Sequence, residues 1–328
     1  MTPFVSILID SYNYARFLRQ AIDSALTQTY RNLEVVVVDD GSTDESWEVI
    51  CSYGDRIVPL LKENGGQGSA FNAGFAKTRG EIVMFLDSDD YLAPNAAERI
   101  VAHWKSDTQA VHHRVRVVDK EGKGLGFWPS EEYPVGSGDV VPDLLRTGTY
   151  QTPPTSGVAY SRALLQKLLP VSENFRLSAD AWLVFQAPFY TPITGVDETL
   201  AYYRVHGANP QGNGWPRWNS PRKTLESFVK IWDLSHGLVA EQAKKRGLPL
   251  PDLLAWESSY SMRWKLIVAR LHGAPAEQRA QFARDAIKKI KSERHTPEER
   301  WKQIAVVYAV WRGPDWLLRR MFPNMFAP

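Results

Sequence analysis

The apolar run Ile82-Val83-Met84-Phe85-Leu86 stops at Asp87-Ser88-Asp89-Asp90. A continuous apolar run of that length reads as a buried strand. Three carboxylates at its carboxyl end are too many like charges to stand together without a counter-charge. A divalent cation supplies that charge, and carboxylate oxygens suit hard ions such as Mg²⁺ or Mn²⁺. In open α/β sheets, ligands bind outside the carboxyl ends of the strands. The segment therefore reads as a metal–diphosphate site. Taken alone, an Asp-rich turn capping a helix near Pro94 would show the same residues.

The pattern recurs twice upstream. Val35-Val36-Val37-Val38 ends in Asp39-Asp40-Gly41-Ser42-Thr43-Asp44, and Val5-Ser6-Ile7-Leu8-Ile9 ends in Asp10-Ser11-Tyr12-Asn13. Ser42 and Glu45 fit a capping box for the helix that follows. Phe17, Leu18, Ala21, Ile22, Ala25 and Leu26 fall on one helical face. Gly65-Gly66-Gln67-Gly68 leads into a helix at about residues 69–77. Strand–helix alternation predicts right-handed βαβ units, hence an α/β fold with a Rossmann-like, mostly parallel sheet flanked by helices.

Four linked motifs in this order resemble glycosyltransferase family 2, which has the GT-A fold. They are Ser6-Ile7-Leu8-Ile9-Asp10-Ser11-Tyr12-Asn13, Val37 to Asp44, Asn64-Gly65-Gly66 with Asn72 and Gly74, and Phe85 to Asp90. The likeness continues more weakly to Tyr202-Tyr203-Arg204-Val205-His206-Gly207, so it covers about the first 210 residues. It implies an inverting, metal-dependent transfer from a nucleotide sugar. By the same resemblance Tyr12 packs on the base, and Asp40, beside Asp39, accepts a hydrogen bond from uracil. Such an acceptor-only group suits an N–H edge, which thymine also offers. Gln67 falls near a nucleotide contact. Asp89 matches the main metal ligand. Asp87 and Asp90 flank it, toward ribose, water or metal, with Asp90 expected as a second metal ligand and Asp87 and Ser88 expected at the donor nucleotide. His206 matches a residue that completes the metal shell in some members, or is a solvated loop histidine. Asp180, in Leu177-Ser178-Ala179-Asp180-Ala181-Trp182-Leu183, matches the base that takes the acceptor's proton. As a plain helix N-cap it would look alike.

The sequence also departs from the family pattern. Asp10 stands where a proline is usual and adds a negative charge beside the nucleotide. Ala179 replaces the Glu of the usual Glu-Asp pair. Gln211 to Trp218 has the residue types of the processive Gln-x-x-Arg-Trp motif without its spacing, so single-sugar transfer is expected. A UDP-sugar donor, or less favourably a dTDP-sugar, and a glycan or lipid-linked glycan acceptor follow from the resemblance. The acceptor is expected near Thr152-Pro153-Pro154-Thr155-Ser156-Gly157. Two rival readings are a nucleotidyltransferase and a non-catalytic nucleotide-sugar or partner-binding protein. The first would want basic residues and a Gly-rich loop after the first strand, where only Arg16 and Arg19 occur. No Walker A pattern is present. Cys51 is the single cysteine, which excludes internal disulfides and thiolate zinc sites, and a small core residue is expected there. The alternation Val111-His112-His113-Arg114-Val115-Arg116-Val117 reads as a strand with one wet face.

The net charge of +2 hides a split. Residues 1–212 carry 18 Lys+Arg and 26 Asp+Glu, whereas residues 213–328 carry 21 and 11, with eight of the twelve tryptophans. That shift, in a loop-like stretch, predicts a catalytic domain over 1–212 and a helical, basic, Trp-rich region over 213–328. Helices are expected over 221–246, 251–272, 275–292 and 297–312, with a short last one near 316–322. Residues 297–328 read as an apolar face on the catalytic domain, a peripheral membrane contact or an oligomer interface. Nucleic acid is not expected, because the acidic half would repel phosphates. No run approaches the length of a membrane span, and the first strand begins by Phe4, so a cytoplasmic protein is expected, visiting the inner membrane face if its acceptor is lipid-linked.

Overall fold

In the computed structural model, residues 2–105, 107–206, 222–250, 256–293 and 296–322 are described. Strands β1 (Val5–Ser11), β2 (Leu33–Asp39), β3 (Val58–Leu61) and β4 (Ile82–Asp87) form the parallel half of the sheet. The first three crossovers carry α1 (Ala15–Leu26), α2 (Ser46–Cys51) and α3 (Gln67–Phe75). Alternate residues of β1, β2 and β4 pack with the apolar face of α1 in one core, with Ile7, Ile9, Leu18, Ile22, Val37 and Met84 at 0–1% exposure, while Leu8 and Val38 face α3 on the other side. This is what near-continuous Val/Ile/Leu runs demand, since a strand apolar on both sides must be covered on both.

After β4 come β5 (Tyr91–Leu92), α4 (Ala96–His103), β6 (Ala110–Val118), β7 (Gly124–Trp128), α5 (Val141–Thr147), β8 (Val158–Ser161), α6 (Arg162–Leu168), α7 (Asp180–Gln186) and β9 (Thr194–Arg204). The nine strands run β3-β2-β1-β4-β8-β6-β9-β5, with β7 beside β6. Beyond β4 the pairing is mixed: β8 is antiparallel to both β4 and β6, whereas β6 and β9 are parallel. The parallel character is thus concentrated in the half that bears the acidic strand ends.

Three local expectations are corrected. The helix after Asp40 opens at Ser46 without the Ser42–Glu45 box. Asp44 Oδ1 instead accepts from the Ser46 amide at 3.0 Å and its hydroxyl at 2.6 Å, while Ser42 Oγ accepts from the Asn13 amide. Cys51, at the end of α2, is exposed rather than core. His112 and His113 are both buried, and the rings of Tyr150 and Tyr160 pack on His112, so the face expected to be wet is covered. Burial pushes their imidazoles down to about 3 and about 4, so both are neutral. His112 Nε2 lies 3.0 Å from the Tyr160 hydroxyl.

The chain divides into two units, 1–144 with 149–207 and 145–148 with 208–328. The boundary expected near Asn213 and the stretch Gln211 to Trp218 lie outside the described residues. The second unit is helical: α8 (Arg222–Lys245), α9 (Ser259–Leu271), α10 (Ala276–Ser292), α11 (Pro297–Arg312) and α12 (Asp315–Met321). Its core gathers Leu225, Trp264, Leu266, Ala283, Ile290, Val307 and Leu318. Among the described residues, no helix is long and apolar enough to cross a membrane.

Candidate active site

Register brings the strand ends together. Asp10 of β1 pairs with Asp87 of β4, and Ser11 of β1 with Asp39 of β2. Asp87, Asp89 and Asp90 each present a carboxylate oxygen within 4.8 Å of the others. Burial, then repulsion from neighbouring carboxylates, holds Asp87 and Asp90 well above the usual carboxylate range. Burial and the Asp89 charge push Asp10 up to about 7. Asp10 Oδ1 is buried and no donor of the protein pairs with it. Asp10, which the sequence placed beside the nucleotide, therefore joins the acid cluster. A cluster of this kind needs positive charge, and an all-oxygen donor set fits a hard divalent cation.

The cluster's members are not equivalent. Asp90 Oδ2 accepts from the Ser156 hydroxyl at 2.5 Å, and Oδ1 from the Arg204 amide at 2.8 Å. Both its oxygens are engaged and the residue is buried, so Asp90 braces the turn. Ser156 Oγ also accepts from the Asp87 amide at 3.1 Å. The Thr152–Gly157 segment, read as an acceptor floor, is thus tied to the acids, with Thr155 and Ser156 buried. Arg204 donates through Nε to the Asp89 carbonyl and through Nη2 to Gln20, and stacks its guanidinium over Phe17 and Tyr91. Asp89 Oδ2 lies 3.0 Å from His206 Nε2, whose ring packs on Tyr14 and Phe17. His206, a loop histidine by one reading, stands at the acid cluster. Ser88 is buried, its amide donating to the Asp10 carbonyl.

At the β2 end the two aspartates differ. Asp40 Oδ1 accepts from Gly65 N at 3.0 Å and Lys62 Nζ at 2.6 Å, and Oδ2 from Gly66 N at 2.6 Å. Its carboxylate is thereby engaged by the Gly-rich loop. Asp39 Oδ1 accepts from the Ser42 amide, but Asp39 Oδ2 is buried without a partner, as is Ser11 Oγ on the paired residue of β1. Tyr12 projects just beyond, 45% exposed. Asn13, at φ +60°, accepts from the Thr43 amide and laces the two loops together.

Gln67 joins the acids to the candidate base. Its Nε2 donates to Asp87 Oδ1 at 2.8 Å, and its Oε1 accepts from the Ala179 amide at 2.8 Å. Ala179 precedes Asp180, the first residue of α7. The turn before it is strained, with Ser178 at φ +53°. It is pinned by backbone bonds from Gln67 to Arg176 and from Gly68 to Phe175. Gly66, at φ +85°, lies so close to Arg176 that a Cβ would stand 2.7 Å from its backbone. Asp180 accepts from the amides of Ala181 and Thr155, yet burial dominates and pushes it up to about 6. The sequence placed Gln67 at the nucleotide. Its bridging contacts, and the bracing by Ser156 and Arg204, carry no local signal beyond the motifs in which they sit.

A GT-A sheet with an acid cluster at its parallel strand ends is the framework of a nucleotide-sugar transferase, and the comparisons agree. Residues 6–169 match the family described as "Glycosyl transferase family 2". An uncharacterized glycosyltransferase of Rickettsia prowazekii is 52% identical over 240 residues, covering 70% of this chain and 71% of the relative. One of Nostoc sp. is 43% identical over 212 residues, covering 62% of this chain and 66% of the relative. Among solved structures, S. aureus TarS 1–349 in complex with UDP-GlcNAc superposes with a TM-score of 0.55 at 17% identity, covering 94% and 90% of the two chains. A mannosyltransferase from Pyrobaculum calidifontis, in complex with GDP-Man and Mn²⁺, gives 0.53 at 18% identity, covering 99% and 86%. The chain belongs to glycosyltransferase family 2. It is a glycosyltransferase by family, which sets aside the nucleotidyltransferase reading.

Proposed function

We propose that the protein moves a single sugar, with inversion, from a UDP-sugar to a hydroxyl of a glycan or lipid-linked glycan. The observation that carries this reading is the Gln67 bridge, which holds Asp180 in register with Asp87 of the acid cluster. A dTDP-sugar would satisfy the same base edge and is the alternative donor. Support for uracil comes from the unpaired buried oxygens of Asp39 and Ser11 beside the exposed ring of Tyr12. An unpaired carboxylate oxygen favours a base that offers an N–H. Asp40 supports the same pocket indirectly, by shaping the Gly65–Gly66 loop. The TarS complex shows that this fold accommodates UDP-GlcNAc in a related architecture.

Asp180 acts as the base. Ionised, it accepts the proton of the acceptor hydroxyl as that oxygen bonds the anomeric carbon, and the bond from that carbon to the diphosphate breaks. Asp89, with Asp87 and His206, would hold the divalent cation, while Asp90 keeps the turn in shape. When bound, a divalent cation supplies the charge that stabilises the departing diphosphate, so no protein acid is required there. Mn²⁺ and Mg²⁺ both suit this donor set. Gln67 and the strained Ser178 turn orient Asp180, and the amide of the buried Thr155 donates to its carboxylate.

Substituting Asp180→Asn keeps the shape and removes the base. Turnover should fall by about 10²–10⁴-fold, while calorimetric affinity for UDP stays within about twofold of the parent. A variant that keeps its turnover would remove Asp180 from this role.

A further inference from the structure

We infer that the outward faces of α11 and α12 form a docking surface for an anionic phospholipid bilayer. Trp301, at 72%, and Trp316, at 65%, are the two most exposed large apolar side chains among the described residues. α11 buries Ile304, Val307 and Val310 on one side. Its other side presents Trp301, Ala305, Tyr308 and Arg312, spaced four, three and four residues apart and all exposed. Residues at that spacing share one helical face. An ordinary water-facing stripe would be charged. This one is aromatic, with Lys302 beside its start and Arg312 at its end. On α12, Trp316 shares a face with Arg319 and Arg320, both exposed.

Each acidic residue of this segment has a partner within the chain, although Glu298 and Asp315 stay exposed. Glu299 closes the capping box with Thr296, Glu298 pairs with Lys302, and Asp315 pairs with Arg270. Arg270 also donates to the carbonyls of Val310 and Gly313, which fixes the turn joining α11 to α12. The next helix in the core, α10, exposes Arg284, Lys288 and Lys291 at the same four- and three-residue spacing. The part of the chain that carries these helices has 21 basic against 11 acidic residues.

Charge selects the occupant. Trp and Tyr combine an apolar body with a polar tip and settle at the headgroup level of a bilayer, and arginines beside them favour anionic headgroups. The stripe from Trp301 to Arg312 extends about 16 Å along the helix axis, a shape suited to lying on a plane. With no membrane-crossing helix among the described residues, such a contact is peripheral. The inference stands apart from the donor reading, because vesicle binding requires no turnover.

The test is flotation of the full 328-residue chain with vesicles of phosphatidylglycerol mixed into phosphatidylcholine, against phosphatidylcholine alone. Binding is expected to the anionic vesicles only, and to weaken as salt rises. Trp301→Ser with Trp316→Ser, and separately Arg319→Gln with Arg320→Gln, should each reduce the partition coefficient on the order of tenfold. Both pairs are exposed, so the variants should match the parent in circular dichroism and melting temperature. No binding to anionic vesicles, equal binding to both compositions, or binding that neither pair alters would overturn the inference. So would a change of sedimentation mass in the tryptophan pair with vesicle binding intact, which would assign the face to a second copy of the chain.

Discussion

Gln67 makes two hydrogen bonds that no other side chain replaces, one to Asp87 and one to the Ala179 amide. Gln67→Ala leaves Asp87 and the strained turn at Ser178 without their link. A displacement of about 1 Å in a catalytic group costs on the order of 10²-fold, so kcat should fall roughly ten- to a hundredfold with the donor KM little changed. Steady-state kinetics against donor concentration checks this, and an effect confined to KM would return Gln67 to the nucleotide. As the proposed base, Asp180 also carries a pH dependence. Its carboxyl is raised to about 6 by burial, and only the ionised form accepts a proton. kcat/KM should therefore rise with pH through about 6 and level above it, with this limb absent in Asp180→Asn. At this scale the gathering of the acids was legible in the sequence, because three apolar runs each end in carboxylates. Their division of labour was not. Asp90 is engaged by Ser156 and Arg204, residues 66 and 114 positions away, and such partners appear only once the chain is folded.

The strands β1, β2 and β4 were legible because a β-branched apolar run buried on both faces has one common solution, a covered parallel sheet. β6 was not. Its alternation suggested a wet face, but Tyr150 and Tyr160, distant in the chain, pack on His112 there, and the local pattern does not contain them. The Ser42–Glu45 box failed for a similar reason, as Ser42 is recruited by Asn13 across the loops. The gathered strand ends carry a stability prediction. Asp10, Asp87, Asp90 and Asp180 all have carboxyls raised in the folded state. The native state therefore binds more protons than the unfolded chain, and stability falls as pH rises from about 4 through 7. Without added metal, the melting temperature should be higher near pH 5 than near pH 7.5, and Mn²⁺ or Mg²⁺ at the higher pH should restore it. A metal-insensitive melting curve would contradict the assignment of Asp87 and Asp89. Packing behind the strand ends is equally tight. A Cβ on Gly74 of α3 would stand 2.3 Å from Leu8 Cδ1 and 2.8 Å from Val38 Cγ2. Gly74→Ala should destabilise the protein by about 1–3 kcal/mol in chemical denaturation.

The whole molecule joins an acidic α/β unit to a basic helical one. The helix spans of the second unit were largely legible, since Pro297 and Gly313 bound α11, and Gly273 and Pro275 separate α9 from α10. What those helices do was left among three readings, because exposure decides between a core-facing and an outward aromatic, and exposure is a property of packing. The central claim concerns the first unit: donor and metal meet at the ends of β1 and β4, and Asp180 stands ready to deprotonate an acceptor. Its most direct test is release of nucleoside diphosphate from a panel of nucleotide sugars, with water as the acceptor, in Mn²⁺, Mg²⁺ or EDTA. Release from a UDP-sugar that EDTA abolishes and Asp89→Ala removes is the predicted result. Release that persists in EDTA, or that is confined to a guanosine or adenosine donor, would contradict it.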